Sequence, residues 1–337
     1  MDTPTHSRDP EHVTKGRPGD IRLATIGTSA ITHHLGSAVS AVAGIRIECT
    51  YSRDRDRARR MALDLGAAIS TSDLSRMLTS ADIDAVYVAS PNGVHVEQAL
   101  AALRAGKHVL VEKPAAPTAA EWVELVVAAR EADVIVLEGI RNEYDCGMDM
   151  VRRTLPELGP IRRVSLGYQK RSGRYDQVLA GEQVSMFDPA MAGGALMDLG
   201  VYCAHALIAL FGPPDQLAAA AVPLPSGVDG AGAVLALYPG FVADLSYSKI
   251  TTSRLPSEIQ GEDATLLIDS IASPRHIVVQ KRDGSTREVT LDQPQHTLTD
   301  EVRRFVQLVR GGDRPTLDNE RTHQTLSLLD AIRTGQL

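Results

Sequence analysis

Apolar residues along this 337-residue chain fall into short runs separated by amphipathic stretches up to about residue 141, and into short runs alone beyond about residue 213. Residues 21–26, 45–51, 85–89, 107–111 and 134–137 are mostly apolar segments of strand length, as strands buried on both faces of a parallel sheet read. Between them, residues 31–42, 53–60 and 94–105 have helical composition. Strand and helix in alternation predict right-handed crossovers and a doubly wound parallel sheet. Residues 195–210 predict an apolar helix between Gly193-Gly194 and Gly212-Pro-Pro214. Further on, residues 233–238, 242–247, 265–269 and 276–280 predict short strands, with 161–168 as an additional one and turns at Tyr238-Pro-Gly240 and Arg282-Asp-Gly284. These form an antiparallel sheet. One face packs on the 195–210 helix, and a partner subunit is the economical cover for the other, so a homodimer or homotetramer is expected. Residues 298–309 and 319–333 predict two closing helices that pack without contributing chemistry. The expected fold class is therefore α/β, with a Rossmann sheet over 21–141 and an α+β domain with a mostly antiparallel sheet over 142–337, preceded by a polar tail over 1–20.

The first strand ends at Gly27 in the run Gly27-Thr-Ser-Ala-Ile-Thr32. A dinucleotide-binding turn carries G-x-G-x-x-G there, its backbone N–H groups and helix N-terminus holding a pyrophosphate. This chain has Ser29 and Thr32 in place of the second and third glycines. The second strand ends in Ser52-Arg53, where an NAD enzyme places a carboxylate for the adenosine ribose. A hydroxyl and a guanidinium instead suit a 2′-phosphate and point to NADP. Asp54 could still reach the ribose, so NAD stays possible.

Residues 107–111 lead into Glu112-Lys113-Pro114, where Pro114 restricts the backbone and aims Lys113 from the strand's C-terminal end, the edge at which parallel sheets bind ligands. On the 195–210 helix, Asp198, Tyr202 and His205 recur at i, i+4 and i+7 and share one face. A polar stripe on a buried helix is costly unless it is paired or lines a cavity. For His205 a structural role is the better reading.

Together, the degenerate glycine turn, Tyr51-Ser-Arg53, Ser90-Pro-Asn92 with His95, Ala105-Gly-Lys-His-Val-Leu-Val-Glu-Lys-Pro114 and Gly193-Gly-Ala-Leu-Met-Asp-Leu-Gly-Val-Tyr202 resemble the Gfo/Idh/MocA oxidoreductases over nearly the whole chain after residue 20. The resemblance implies hydride transfer between NAD or NADP and a sugar, cyclitol or related polyol or ketone. It implies catalytic roles for Lys113, Asp198 and Tyr202, the last standing where many members have histidine. It also implies a cofactor held against Gly27, Thr28, Ser29, Ala30, Ile31, Ser52, Arg53, Ser90, Pro91, Asn92, His95, Glu112 and Lys113. Tyrosine at 202 resembles the NADP-linked dihydrodiol and xylose dehydrogenases and some deoxysugar ketoreductases. Residues 139–146 depart from the family pattern and carry no substrate contact over. Lys113, beside the cofactor's positive ring, is expected to have its pKa lowered toward neutrality. The proton donor stays open among Lys113, Tyr202 and His205. Relatives that keep NAD to cleave glycosidic bonds, and relatives that bind nucleotide as regulators, supply the alternative readings.

A net charge of −7 argues against a nucleic-acid partner. No apolar run approaches the roughly 20 residues needed to span a bilayer, so no membrane role is expected. Three cysteines, at 49, 146 and 203, are too scattered for a disulfide framework or a metal site. Residues 1–20 lack an apolar segment and read as a tail without a signal peptide, which places the chain in the cytoplasm.

Overall fold

The computed structural model describes residues 19–292 and 296–335. Its first sheet contains β1 (Ile21–Ile26), β2 (Ile45–Tyr51), β3 (Ile69–Thr71), β4 (Ala85–Val88), β5 (His108–Glu112) and β6 (Val136–Gly139), all parallel, in the order β3-β2-β1-β4-β5-β6. Helices α1 (Ala30–Ala41), α2 (Arg55–Leu65), α3 (Leu74–Thr79), α4 (His95–Arg104) and α5 (Ala119–Glu131) make the connections. Every residue of β4 and β6 is buried, as apolar strands require when helices cover both faces. The order reverses between β1 and β4, and this opens a crevice above their C-terminal ends. The turn at Gly27 and the loop at Ser90 both lie there.

Helices α6 (Arg141–Tyr144) and α7 (Cys146–Thr154) lead into β7 (Ile161–Gln169) and the short α8 (Tyr175–Leu179). A π-helical turn over Leu196–Gly200 then runs directly into α9 (Val201–Phe211). Strands β8 (Gln216–Pro223), β9 (Asp229–Tyr238), β10 (Phe241–Ser248), β11 (Ser257–Gly261), β12 (Ala264–Ile268), β13 (His276–Lys281) and β14 (Thr286–Thr290) join β7 in an eight-stranded sheet ordered β14-β13-β12-β11-β7-β10-β9-β8. Its pairs are antiparallel except β7 with β10. Alternate residues Val164, Leu166, Leu245, Ile259, Leu266 and Val279 are buried in one core with Val201, Cys203, Ala204 and Leu207 of α9, the period-two pattern of a sheet with one packed face. The opposite face carries the exposed Val222, Leu235, Leu237 and Val242. β8 was not anticipated. It is an edge strand built on Ala218–Ala221, and alanine is a weak strand former.

The closing helices are α10 (Thr299–Gly311) and α11 (Thr316–Thr334). Leu298, Val302, Phe305, Val306 and Leu308 complete a core with Leu23, Leu35 and Ile45 of the first sheet and α1, while α11 packs on α9, α5 and β6. The two closing helices thus return to the first lobe. These helices also bury polar side chains. Glu301, Thr322 and Thr325 are polar and buried, and both carboxylate oxygens of Glu301 lack a hydrogen-bond partner among the described residues.

The expected polar tail lies outside the described residues up to position 18. Gly19 is already held, its carbonyl accepting from Arg310 Nη2 at 2.8 Å. The expectation about apolar runs is also corrected. Pro189–Phe211, with a mean hydropathy of 1.6 over its most apolar window, is long and apolar enough by length and composition to cross a bilayer. That window is 78% buried inside the protein, so the core of the second lobe uses its apolar surface.

Candidate active site

The turn after β1 requires glycine at its first position. Gly27 has φ +116°, and a Cβ there would stand 2.4 Å from the Ala89 carbonyl oxygen. Thr32 is fully buried, its hydroxyl donating to the Gly27 carbonyl at 3.3 Å, so the turn closes tightly without its third glycine. Ser29 caps α1 without a side-chain bond, and the first turn of α1 holds no acidic residue. Thr28, Ser29, Ala30 and Ile31 therefore surround a helix N-terminus whose N–H groups and dipole suit an anion.

At the end of β2 the structure decides between Arg53 and Asp54. Asp54 is the N-cap of α2, accepting from the N–H groups of Asp56 at 2.9 Å and Arg57 at 3.1 Å. Its carboxylate is already engaged, whereas Arg53 is exposed. The basic stretch read as a helix from Arg53 starts at Arg55, which leaves Ser52 and Arg53 in the loop facing the crevice edge. This arrangement suits a 2′-phosphate.

After β4, Ser90 Oγ donates to Gln98 at 2.7 Å, and Asn92 Nδ2 donates to the Ala192 carbonyl at 3.1 Å, tying this loop to the segment before α9. The His95 side chain turns inward. It is 1% exposed, with its ring nitrogens 2.7 Å from the Ser90 carbonyl and 3.0 Å from the Pro114 carbonyl. Two carbonyl acceptors favour an imidazolium, while burial and then Lys113 pull the pKa down. With either charge, His95 joins the β4 loop to the β5 loop. The Glu112 side chain also turns inward. Its buried carboxylate accepts from Tyr87 Oη at 2.5 Å, on the core side of the strand.

Lys113 leaves β5 at a cis peptide to Pro114. Its ammonium donates to Asp198 Oδ1 at 2.8 Å and to the Asp198 carbonyl at 2.9 Å, and it lies 5.2 Å from the ring centroid of Tyr202. The Arg141 guanidinium is 5.0 Å from the same centroid, and Tyr168 meets the ring edge-on at 5.6 Å. Lys249 donates to the other Asp198 oxygen. The Asp198 pair acts on the Lys113 pKa in the direction opposite to the lowering expected from the cofactor's ring. Burial opposes the charge, but the Asp198 carboxylate and its hydrogen bond outweigh it and hold Lys113 protonated. Burial likewise opposes the Asp198 charge, and Lys113 and Lys249 overcome it, keeping the carboxylate well below its usual range. Tyr202 is raised by burial, against the pull of Lys113 and Arg141 toward phenolate.

The expected polar stripe on the helix divides in two. Asp198 in the π-helical turn and Tyr202 at the start of α9 both meet Lys113. His205, 1% exposed, instead pairs with Glu143 at 2.9 Å and the Thr325 hydroxyl at 3.1 Å, which takes it out of contention as proton donor. Lys249 and Arg141 were missed. Each has a local sign: Arg141 follows the C-terminal end of a parallel strand, and Lys249 is a lone cation after the uncharged run 245–248. Among the described residues no group of three or more His, Cys, Asp or Glu could hold a metal.

Comparison with known proteins matches residues 21–140 to the Gfo/Idh/MocA oxidoreductase family with NAD-binding Rossmann fold, and residues 156–267 to the Gfo/Idh/MocA C-terminal domain. An NADP-dependent scyllo-inositol 2-dehydrogenase of Bacillus subtilis is 37% identical over 93% of this chain and 96% of its own. A dTDP-3,4-didehydro-2,6-dideoxy-alpha-D-glucose 3-reductase of Saccharopolyspora spinosa is 30% identical over 93% of this chain and 96% of its own. Among solved structures, a 3-ketoreductase from Actinomadura kijaniata in complex with NADP and TDP-benzene superposes with a TM-score of 0.85 at 26% identity, covering 94% of this chain and 98% of that one.

Proposed function

Because this chain belongs to the Gfo/Idh/MocA oxidoreductase family, we propose that it interconverts a secondary alcohol and a ketone on a cyclitol or sugar, with NADP as hydride carrier and Lys113, Asp198 and Tyr202 as its chemical groups. The observation that carries this reading is the Lys113–Asp198 pair at 2.8 Å, set beside Tyr202 at the C-terminal edge of the parallel sheet. The cofactor fits the crevice through the N-terminus of α1 at its pyrophosphate and Ser52 and Arg53 at its 2′-phosphate, and when bound it supplies or accepts the hydride.

The charge state of Lys113 decides the roles. A lysine held protonated cannot act as the base, but it can donate to the reacting oxygen and stabilise negative charge there. Asp198, bound on both oxygens by ammonium groups, stays ionised and aims Lys113. Proton transfer then falls to Tyr202. In reduction its hydroxyl gives a proton to the oxygen of the former carbonyl, and the phenolate left behind lies between Lys113 and Arg141. In oxidation that phenolate takes the alcohol proton.

The reading extends to assembly and place. The sheet face bearing Val222, Leu235, Leu237 and Val242 suits a second copy of the chain, giving a homodimer or homotetramer, since exposed apolar patches of this kind mark interaction sites. A cytoplasmic setting suits its three free thiols. The test is turnover with NADP and NADPH over a panel of scyllo-inositol, xylose and keto sugars, run on the parent and on Tyr202→Phe. Turnover of at least one panel member that falls by about two orders of magnitude or more in Tyr202→Phe, with NADPH affinity retained, supports the reading. A Tyr202→Phe protein that keeps the parent's rate overturns the role given to Tyr202.

A further inference from the structure

Lys249 is a charged group of this site that no sequence motif marked. It follows directly on β10. Its N–H donates to the Gly230 carbonyl at 2.9 Å, and its own carbonyl accepts from Ser172 N–H at 2.8 Å, so β9 on one side and the loop after β7 on the other fix its backbone. The residue is 3% exposed, and its ammonium lies 5.5 Å from the Phe187 ring centroid. A buried ammonium is costly unless it is paired. Its one ion-pair partner among the described residues is Asp198, and it shares that carboxylate with Lys113, each ammonium on a different oxygen.

The charged and titratable groups of the elements around it are Asp198 in the π-helical turn, Lys113 and Glu112 at the end of β5, Tyr202 on α9, Arg141 on α6, Asp229 on β9, and Lys170 and Arg171 after β7. Of these, Asp229 is occupied, accepting from Leu196 N–H at 2.7 Å, and Arg171 pairs with Asp176. Around the reacting oxygen stand three cations, Lys113, Lys249 and Arg141, and the ionised Asp198, with the Glu112 carboxyl taken up by Tyr87 and raised by burial. Lys249 is the only one of the three that lies outside both the first sheet and the helix that follows it.

We propose that Lys249 is a positioning residue for hydride transfer: it occupies one oxygen of Asp198 so that the other aims Lys113, and its charge adds to the field at the reacting oxygen. This rests on the reading of Lys113 and Tyr202 given above. Removing the Lys249 charge leaves Asp198 to Lys113 alone and removes a like charge from its neighbourhood, so Lys113 holds its proton more strongly.

The test uses the rate at which dilute acetic anhydride acetylates Lys113 at pH 9 to 10 in the full-length protein, read by peptide mass spectrometry with the surface lysines as internal standards. This measurement needs no substrate, so its outcome is separate from that of Tyr202→Phe. Lys249→Met is expected to slow Lys113 acetylation by about threefold or more, the effect of half a pKa unit. Lys249→Arg, which keeps the charge, stays near the parent. In turnover, Lys249→Met lowers kcat and moves the rising limb of polyol oxidation to higher pH, and Lys249→Arg restores the limb. Unchanged Lys113 acetylation in Lys249→Met, or an equal change in Lys249→Arg, overturns the proposal. If the methionine variant does not fold, Lys249→Gln is read in the same way.

Discussion

Arg53→Ala isolates the discrimination between NADPH and NADH. Asp54, the neighbour that could have held a ribose hydroxyl, spends its carboxylate on the first turn of α2, so a 2′-phosphate at the end of β2 meets the Ser52 hydroxyl and the Arg53 guanidinium as the unengaged groups. A hydrogen bond to a charged group contributes about 1.5–3 kcal/mol. Arg53 is exposed, so solvent screening puts the contribution at the lower end, about 1.4 kcal/mol, which is about tenfold in Kd. The parent is expected to bind NADPH at least about tenfold tighter than NADH, and Arg53→Ala to bring the two within about threefold of each other with NADH affinity unchanged. Nicotinamide fluorescence titrations at low salt measure both constants. Repeating them near 1 M salt, where the screening length shortens to about 3 Å, should shrink the parent's preference and leave the variant's alone. Asp54→Ala is the internal control. It loosens the cap of α2 but leaves the NADPH to NADH ratio in place. A variant at Arg53 that keeps the parent's ratio refutes the argument, and so does an Asp54 variant that changes it.

Two further outcomes follow from buried and exposed features. Glu301 is held well above the usual carboxyl range by burial first and by Glu112 second, with Arg141 opposing. A carboxyl whose folded pKa is raised adds its stability below the unfolded value of about 4.3 and loses it as pH rises toward the folded value. Glu301→Gln should therefore melt higher than the parent at pH 8 and about level with it at pH 4, and a melting difference that does not change with pH contradicts the assignment. On the open sheet face, Leu237→Glu puts a charge between Val242 and Gln216 in the register of β10 and β8. Light scattering should show that it dissociates the assembly without loss of fold, and a variant with the parent's mass would move the interface elsewhere.

Five of the six strands of the first lobe were legible because each is a short apolar run ended by glycine or a polar loop, whereas β3, Ile-Ser-Thr and largely exposed, has no such run; Lys113 was singled out by its place at a strand end, and Asp198 and Tyr202 by their helical spacing. Side-chain direction was not legible. His95 and Glu112 lie beside the crevice in sequence, but His95 turns inward to two carbonyls and Glu112 to Tyr87, and nothing local marks which side of the backbone faces the core. The charge environment of Lys113 was not legible for a different reason. Its state depends on Asp198, 85 positions away, and on how that carboxylate is shared with Lys249, 51 positions further on. The pairing of β10 with β9 and β7 brings Lys249 there. The strands β8, β11 and β14 escaped notice because edge positions and alanine-rich or charged segments lack the apolar alternation that marks a strand.

The return of α10 to the first sheet bears on how the chain is made. Synthesis delivers the nucleotide-binding strands first, and domains generally begin to fold in that order. Leu23, Leu35 and Ile45 nevertheless wait for Leu298, Val302 and Phe305 to cover them. Until the last forty or so residues emerge, the early lobe has an open apolar side. A transcript truncated before residue 298 would therefore yield neither half of an enzyme, but a sticky fragment that the cell must shield or degrade. The first lobe can be recognised by its sequence as a separate module, yet it is not portable as one: a graft ending at residue 141 would leave part of its own core behind.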